Sequence, residues 1–382
     1  MNRINRIRVS GYKSIRDQEI DLRPITVLIG ANGSGKSNLV SVFRMLNFTM
    51  SGSLQLFVGR SGGADSILYY GARTTPVMEA EFEFETDQGV NHYQTRLVHA
   101  AGDTLIFADE LIRFHRHGRP EPEWVSLGAG HKESALQETA KKSDSTATMA
   151  RTLAWLMERW RAYQFHDTSP ESAIRQKRYI NDAGFLRDDA GNLAPFLYGL
   201  RSSHPDHYDR IRSTIQLALP FFDDFILEPT AVDQNYIVLD WKERGSDYRF
   251  GPHQIADGAL RFMALTTLLL QPEDKMASAI IIDEPELGLH PYALSLLGSL
   301  INGVATSRQV VVATQSSDLV DQFRADDITV VDRREEVPVR GRGSQWESVF
   351  RRQSSKELEE WLKEYTVSEL WDKNVIAGRP HG

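Results

Sequence analysis

Cysteine is missing from all 382 residues of the chain. Its absence excludes a disulfide-stapled secreted scaffold, Cys-ligated zinc, iron–sulfur clusters and thiol catalysis. A chain of this length predicts about two or three domain-sized units, which can bury a large core without such cross-links. Hydrophobic residues make up 41% and charged residues 25% of the sequence, and this ordinary balance excludes wholesale disorder.

Long hydrophobic runs are also missing. The longest apolar stretches cover residues 264–270 and 279–282, well short of the roughly 20 residues that a membrane-crossing helix needs. The N-terminal segment Met1–Val9 alternates polar and apolar residues and lacks the continuous apolar segment of a signal peptide. We therefore expect a cytoplasmic protein with no membrane partner.

Positive charge is not in excess. Lysine and arginine number 44 against 52 aspartates and glutamates, for a formal net charge of −8. This balance argues against a protein that coats nucleic acid by charge alone, but it permits a local basic groove. One run within twenty residues could contact phosphates or form surface ion pairs with neighbouring acids: Arg333, Arg334, Arg340, Arg342, Arg351 and Arg352. DNA is thus a candidate partner.

Strand and helix patterns alternate near both ends of the chain. The apolar stretch Ile25–Ile29 predicts a strand, and apolar residues at helical spacing over 35–47 predict a helix directly after a glycine-rich turn. Residues 278–282 predict a second buried strand, of the type found in parallel sheets, with helices at 259–270 and 291–304 on either side. Both ends therefore indicate an α/β core.

Different patterns separate the two α/β segments. Strict alternation of apolar residues with glutamates predicts an antiparallel β meander over 77–127. An apolar face at helical spacing over 134–163 opens a helical insertion lobe. The expected division is an N-terminal half of the core at 1–76, the meander at 77–127, the lobe at 128–232, a C-terminal half of the core at 233–335, and a C-terminal loop and helix at 336–382, with a helix at 355–365.

The glycine-rich turn carries the first chemical motif. It fits the phosphate-loop pattern G-x-x-x-x-G-K-[ST] between a strand and a helix, and its residues are Gly30, Ala31, Asn32, Gly33, Ser34, Gly35, Lys36, Ser37 and the following Asn38. Its glycines let backbone N–H groups surround an anion at a helix N-terminus. Lys36 is suited to reach the β- and γ-phosphates, and the Ser37 hydroxyl is suited to bind Mg²⁺. We expect ATP and Mg²⁺ as the bound groups.

The second motif ends the strand at 278–282. Asp283 and Glu284 follow four apolar residues, as in the second half of a nucleotide site. There Asp283 would bind Mg²⁺ and Glu284 would polarise the attacking water as a catalytic residue. Two acids at a strand end can instead cap the following turn, but the phosphate loop favours the catalytic interpretation.

Two further segments resemble those of a known family. The segment Gln254–Arg261 resembles the degenerate signature loop of ABC-type ATPases related to RecF and SMC, and it places Asp257 26 residues before Asp283. The segment Asp283–Pro291, D-E-P-E-L-G-L-H-P, is similar to the Walker B and D-loop of the same group. Residues Gly11–Ile15 and Tyr163–Ser169 resemble segments of predicted bacterial ATPases of the AAA_21-like, RecF/SMC-like kind.

This resemblance implies a fold and a way of working. The expected fold class is α/β: an ABC-type P-loop NTPase head with an inserted β meander and helical lobe, and without a long coiled coil. In such proteins two ATP molecules lie between two subunits in a head-to-tail homodimer. Asp257 and Gly258 would then face the γ-phosphate held by the partner subunit. A helix N-terminus meeting an anion is physically sensible.

Two positions depart from the family pattern. Where the family has a Thr-His-Ser switch, this chain has Thr314-Gln315-Ser316. The Gln315 amide can donate to a γ-phosphate and is assigned a catalytic role, but it cannot titrate or carry positive charge near pH 7. Ile255-Ala256 also stands in place of Leu-Ser. Two alternatives stay open: slow or partner-stimulated hydrolysis, or a substitution of little consequence.

The role of His166-Asp167, in the Y-Q-F-H-D-T-S segment, is open from the sequence. These residues either line the site or brace the lobe. His290 is expected to organise the D-loop rather than bind a metal, because no second ligand stands at zinc-site spacing.

Three functions are consistent with these motifs. The first is an ATPase subunit of a DNA-processing, DNA-repair or anti-phage defence system that gates a nuclease or toxin. Because the chain ends soon after the core, that effector is expected to be a separate polypeptide. The second is an ATP-dependent protein switch or scaffold without DNA contact. The third, a membrane transporter's nucleotide-binding subunit, is disfavoured because the signature is not L-S-G-G-Q and the insertions are too large.

Overall fold

The computed structural model describes residues 3–336 and 344–378. Its strands, in chain order, are β1 (Arg3–Tyr12), β2 (Ile15–Asp21), β3 (Ile25–Ile29), β4 (Val77–Thr86), β5 (Gly89–Ala100), β6 (Thr104–Arg116), β7 (Val125–Gly128), β8 (Trp160–Tyr163), β9 (Arg178–Tyr179), β10 (Phe222–Ile226), β11 (Tyr236–Ile237), β12 (Asp240–Glu243), β13 (Ala279–Asp283), β14 (Gln309–Thr314), β15 (Ile328–Glu336) and β16 (Gln345–Arg352). Arg340 and Arg342 of the basic run lie outside the described residues.

The helices fill the connections between the strands. They are α1 (Lys36–Met50), α2 (Leu54–Arg60), α3 (Ala64–Ile67), α4 (Leu136–Ala140), α5 (Ser145–Glu158), α6 (Leu193–Ser203), α7 (Pro205–Ala218), α8 (Asp257–Leu270), α9 (Pro291–Val304), α10 (Ser317–Val320) and α11 (Val367–Asp372). Within the described ranges no helix exceeds the 15 residues of α1, so none could form a coiled-coil arm. Nor is any of these helices long and apolar enough to cross a bilayer.

One six-stranded sheet forms the centre of the fold, in the order β16-β15-β3-β14-β13-β8. All its pairings are parallel except that of the terminal hairpin, β15 with β16. Every residue of β3, β13 and β14 is buried, as expected for a parallel sheet covered on both faces. The carboxyl ends of β13 and β14 therefore meet at one edge of the sheet.

Alternate side chains of the central sheet pack into two hydrophobic cores. Ile280 and Ile282 lie in a core shared with α6, α7, α8 and α9, whereas Ile281 lies in a second core shared with α1 and α5. This alternation follows from the two-residue period of a strand. The result is a layered α/β architecture in which one core packs on each face of the central sheet.

The second large sheet is antiparallel, with the order β2-β1-β4-β5-β6-β7. The meander expected at 77–127 corresponds to β4 to β7, and β1 pairs with β4 to extend it, with a register shift between Ile4 and Arg6. Along β4 the residues Met78, Ala80, Phe82 and Phe84 are buried in the second core. The alternating pattern thus places a dry face on α1 and α5 and leaves the glutamate face toward water.

Two helical expectations were wrong in extent. The pattern over 134–163 predicts helix up to Tyr163, but α5 ends at Glu158 and β8 begins at Trp160, because Trp160 to Tyr163 pair with β13. A helix was also expected at 355–365, where the structure has turns and a short 3₁₀ segment at Trp361–Lys363. The helix lies further on, in α11, where Thr366 and Glu369 form a capping box.

Candidate functional site

The phosphate loop joins β3 to α1 and is held open by its glycines. Gly30, Gly33 and Gly35 all have positive φ, at 156°, 78° and 112°, a region that side chains with a Cβ rarely adopt. A Cβ on Gly35 would also lie 2.0 Å from the Ser348 hydroxyl oxygen. The loop therefore curls tightly into the N-terminus of α1, which presents N–H groups and the positive end of the helix dipole to an anion.

Lys36 and Ser37 begin α1 inside this loop. The Lys36 ammonium donates to the Gly30 carbonyl at 2.6 Å and to the Ala31 carbonyl at 3.1 Å, and phosphate oxygens could replace these carbonyls as acceptors. Burial lowers the pKa of Lys36, against the opposing effect of Glu284, Glu286 and Asp283. The buried ammonium can form charge-assisted hydrogen bonds to phosphate oxygens, and a bound cation would offset the repulsion from the three acids.

Asp283 ends β13 directly across from Ser37. The Ser37 hydroxyl donates to Asp283 Oδ1 at 3.3 Å. Burial raises the pKa of Asp283, and the hydrogen bond from Ser37 partly opposes the shift. Hydroxyl and carboxylate oxygens are ligands that Mg²⁺ accepts, usually together with substrate phosphates. The pair therefore fits a magnesium ion.

A closed metal cage is not built by the protein alone. Across residues 3–336 and 344–378, no group of three or more His, Asp or Glu side chains could hold a metal ion. A cation at Ser37 and Asp283 would thus complete its coordination with water and phosphate oxygens, as Mg²⁺ does in nucleotide sites.

Glu284 occupies a strained position at the end of β13. Its φ is +46°, uncommon for a residue other than glycine, and its N–H donates to the Ala313 carbonyl at 2.7 Å. The Gln315 amide donates to Glu284 Oε1 at 2.7 Å, and the Gln315 N–H donates to Glu286 Oε1 at 2.7 Å. The strained backbone and Gln315 together aim the Glu284 carboxylate into the site.

The segment after β8 also lines the site, which the sequence left undecided. His166 Nε2 lies 3.0 Å from the Asp283 carbonyl and 3.9 Å from Glu284 Oε2. Its other ring nitrogen, Nδ1, lies 2.8 Å from Gln164 Nε2. His166 therefore lies against the acidic pair itself, while Asp167 is exposed and accepts bonds from Ser169.

The signature turn begins α8 at Asp257 and Gly258. A Cβ on Gly258 would lie 2.0 Å from the Gly288 carbonyl oxygen, so only glycine permits this contact with the D-loop. The Asp257 carboxylate, 60% exposed, accepts from Arg175 at 2.6 Å. The turn is thus anchored on one side and open to solvent on the other.

Arg261, on α8, is hydrogen-bonded to two loops of the site. Its guanidinium donates to the carbonyls of Phe165 at 3.0 Å, His166 at 2.8 Å and Leu287 at 3.2 Å. Signature helix, D-loop and the segment after β8 are thereby tied into one unit. His290, at the end of the D-loop, caps α9 by accepting from the Tyr292 N–H, and this agrees with its expected organising role.

Supports of the phosphate loop come from far along the chain, and sequence reasoning missed them. Ser348 on β16 donates to the Ser34 carbonyl at 2.5 Å and lies 2.6 Å from the Ser14 hydroxyl. The Ala31 N–H donates to the Gly378 carbonyl at 2.9 Å. For Ser14 the sequence did offer a signal, since it lies in the segment Gly11–Ile15 that resembles the known family. Ser348 and Gly378 lie in no such motif.

Three arginines of the basic run make local contacts. Arg334 is bound by Glu347 at 2.6 Å, and Arg333 lies over the Trp346 ring at 5.2 Å. Arg352 is partly buried, which lowers its pKa, with Asp21 and Asp327 opposing the shift. These three arginines therefore serve local contacts rather than a continuous phosphate-binding surface.

Comparison with known proteins identifies a matching family and a fold. Residues 25–321 match the family model described as "AAA domain, putative AbiEii toxin, Type IV TA system". A search of curated proteins found no match. Among solved structures, an SMC head bound to the C-terminal winged-helix domain of ScpA is similar, with a TM-score of 0.58 and 14% identity over 93% of this chain and 99% of that one.

Two further SMC heads give the same architecture. The head from Pyrococcus yayanosii, with a coiled coil and joint, has a TM-score of 0.52 and 12% identity over 95% of this chain and 99% of that one. The head from Pyrococcus furiosus, with an extended coiled coil and bound to the C-terminal domain of ScpA, has a TM-score of 0.51, 15% identity and the same coverage. The expected ABC-type head fold is confirmed.

Proposed function

Because the chain belongs to the AAA-domain family whose model spans residues 25–321, we propose that it binds Mg-ATP at the phosphate loop and hydrolyses it. The observation that carries the proposal is the convergence of Ser37, Asp283 and Glu284: a hydroxyl and a carboxylate 3.3 Å apart, with a second carboxylate held beside them. Phosphoryl transfer to water needs metal ligands and a base that orients the water, and these three residues can supply both.

Each residue has a distinct role in the proposed reaction. Lys36 and the N–H groups of the loop bind the β- and γ-phosphates, and Ser37 and Asp283 hold Mg²⁺, which neutralises charge on the phosphate oxygens when bound. Glu284 accepts a proton from the attacking water. Gln315 fixes the Glu284 carboxylate and replaces a cationic switch by a neutral amide, so turnover is expected to be slow or stimulated by a partner.

We also propose that ATP closes a head-to-tail homodimer. Support comes from the surface around the signature turn: Asp257 and Gly288 are exposed, and the Tyr292 side chain is 52% exposed at the start of α9. The N-terminus of α8 can then meet a γ-phosphate bound by a second copy. Hydrolysis removes the γ-phosphate that lies between the two copies, and the dimer then reopens.

The output proposed for this cycle is the gating of a separate effector, a nuclease or toxin, in DNA processing, repair or anti-phage defence. The wording of the family description supports a toxin–antitoxin context for this chain. The second candidate, a protein switch or scaffold without DNA contact, is favoured by the local contacts of Arg333, Arg334 and Arg352. DNA binding across a salt series separates the two, because phosphate contacts weaken steeply as salt rises.

The first test is the molar mass of Glu284→Gln in solution, by light scattering, with and without Mg-ATP. This variant should bind ATP but cleave it about 100-fold or more slowly than the wild type. A shift from monomer to dimer only with Mg-ATP is the expected result. Wild-type turnover would remove Glu284 from the catalytic role, and an unchanged mass with ATP bound would refute closure by ATP.

A further inference from the structure

The Glu284 carboxylate lies between two side chains from different parts of the fold. Gln315, after β14, donates to Oε1 at 2.7 Å. His166, after β8, approaches Oε2 with its Nε2 atom at 3.9 Å and also contacts the Asp283 carbonyl at 3.0 Å. The sequence comparison placed an amide where an imidazole was expected, at position 315. The structure brings an imidazole to the opposite side of the same carboxylate.

The tautomer of His166 is assigned by its hydrogen-bond partners. Arg44, a donor only, bonds to Gln164 Oε1. The Gln164 amide must therefore turn its NH₂ group toward His166 Nδ1, 2.8 Å away. Because an NH₂ group only donates, Nδ1 accepts and the ring proton lies on Nε2.

This assignment gives the Nε2–H a fixed target. It donates to the Asp283 carbonyl, and the peptide it holds is the one that links Asp283 to Glu284, where the backbone carries the strained φ of +46°. The main chain of His166 is itself held, since its carbonyl accepts from Arg261 at 2.8 Å. The imidazole is thus fixed at both ring nitrogens and at its backbone.

We propose that His166 is a positioning residue for ATP hydrolysis: as an Nε2–H donor whose ring is oriented by Gln164 and Arg44, it holds the Asp283–Glu284 peptide and so aims the Glu284 carboxylate. The proposal rests on the proposed ATPase function and adds a role that Gln315 alone does not supply. It also assigns a role to Gln164 and Arg44, because their hydrogen bonds determine which nitrogen of the ring carries the proton.

The experiment measures kcat and KM for Mg-ATP with the full chain. His166→Ala should lower kcat by about 10- to 100-fold, the loss typical of a residue that orients groups around a metal site, while KM changes less than about threefold. His166→Gln, whose amide can place an N–H near the position of Nε2, should restore most of kcat. His166→Asn, with a shorter side chain, should not.

A second variant covers the case in which position 166 tolerates no change. Gln164→Leu keeps the imidazole but removes the donor at Nδ1 and the acceptor for Arg44. It should lower kcat by about fivefold to tenfold, less than His166→Ala. In the wild type, the imidazole ¹⁵N shifts of His166 should report the proton on Nε2 with Nδ1 as an acceptor, and in Gln164→Leu they should report a mixture of tautomers. A pure Nδ1–H ring in the wild type would overturn the proposal.

The controls separate this proposal from the proposed function. His207→Ala removes an imidazole that also bonds to a backbone carbonyl, that of Leu270 at 2.8 Å, and kcat should be unchanged. If Glu284→Gln is inactive while His166→Ala keeps the wild-type kcat, the positioning role is refuted and the ATPase stands. If the wild type and Glu284→Gln are equally inactive, the ATPase itself is refuted, and the role of His166 with it.

Discussion

Two buried carboxylates, one in each large sheet, show how this fold separates structure from function. Glu110, on β6, is fully buried in the antiparallel sheet, and Asp283, on β13, is 4% exposed in the parallel sheet. Their side chains carry the same chemical group. What differs is the number of donors that surround them.

Glu110 is completely provided with hydrogen bonds. One oxygen accepts from the Tyr93 hydroxyl at 2.7 Å and from Ser134, and the other contacts His131 Nε2 at 2.9 Å and accepts from the Ala135 N–H at 2.8 Å. Burial and the nearby Glu110 charge raise the pKa of Tyr93. Such a network stabilises and specifies the fold, and it leaves no lone pair for a ligand.

Asp283 has far less support. Within the described ranges its carboxylate receives one side-chain hydrogen bond, from Ser37 at 3.3 Å, and burial raises its pKa. A buried carboxylate with so few donors costs folding free energy unless a cation joins it. Glu110, with partners at both oxygens, is therefore a structural acid, whereas Asp283, with one side-chain hydrogen bond beside a phosphate loop, is available to a ligand.

The largest expected effect comes from removing the cation beside Asp283. Lys36→Ala should lower ATP affinity or turnover by about 100-fold or more, because the phosphates lose their buried counter-charge. Lys141→Ala, which removes an exposed lysine paired with Glu138, is the matched control and should leave both unchanged. Isothermal titration and a phosphate-release assay measure the two quantities. Normal turnover in Lys36→Ala would refute the assignment of the phosphate loop.

The next effect concerns stability alone. Glu110→Gln should lower the free energy of unfolding by about 2 to 3 kcal/mol, because the amide NH₂ would face two donors in place of accepting from them. ATP affinity should be unchanged, since the network lies in the antiparallel sheet. Glu83→Gln, which breaks a partly exposed pair with Arg6, should cost about 0.5 kcal/mol or less. Equal denaturation midpoints for Glu110→Gln and the wild type would show that the network does not stabilise the charge.

A third effect tests whether turnover needs the contact between the signature turn and the D-loop. Gly258→Ala should lower turnover about tenfold with ATP affinity kept, because the new Cβ would lie 2.0 Å from the Gly288 carbonyl oxygen and push the turn off the D-loop. Gly303→Ala in α9 is the control, since a Cβ there meets nothing within 4 Å. Unchanged turnover in Gly258→Ala would mean that contact between the two loops is not needed.

The parts of the site that are contiguous in sequence were predictable. The phosphate loop and the pair Asp283-Glu284 each lie within a few residues of a strand end, so local pattern and hydrophobicity were enough to place them. The fold class followed from α/β alternation at both ends and from resemblance to a known family. Their roles stay predictions until the variants above are measured.

The parts that depend on distant contacts were not predictable. His166 meets Asp283 across 117 residues and Ser348 meets Ser34 across 314, and no local pattern encodes such pairs. The end of α5 was misjudged for the same reason, because pairing of β8 with β13 overrides a helical pattern that is locally favourable. The capping box at Thr366 and Glu369, in contrast, is a local signal for α11, and the prediction of a helix at 355–365 overlooked it.

The smallest expected change in stability separates the two carboxylates most sharply, because its sign is opposite to that of Glu110→Gln. Asp283→Asn should abolish turnover yet raise the free energy of unfolding at pH 7 by about 1 kcal/mol, measured without Mg-ATP. The raised pKa of Asp283 shows that burial disfavours its charged form in the folded state, and a neutral amide removes that cost.

The control for this reversal is Asp17→Asn, which alters an exposed pair with Arg8 and should change stability by less than about 0.5 kcal/mol. If Asp283→Asn is instead destabilised, its charge must already hold Ser37 in place, and Asp283 would belong with Glu110 among the structural acids. If Asp283→Asn is stabilised while Glu110→Gln is destabilised, the free energy of unfolding changes in opposite directions at the two buried carboxylates. The charge of Asp283 then lowers stability and serves binding, whereas the charge of Glu110 stabilises the fold.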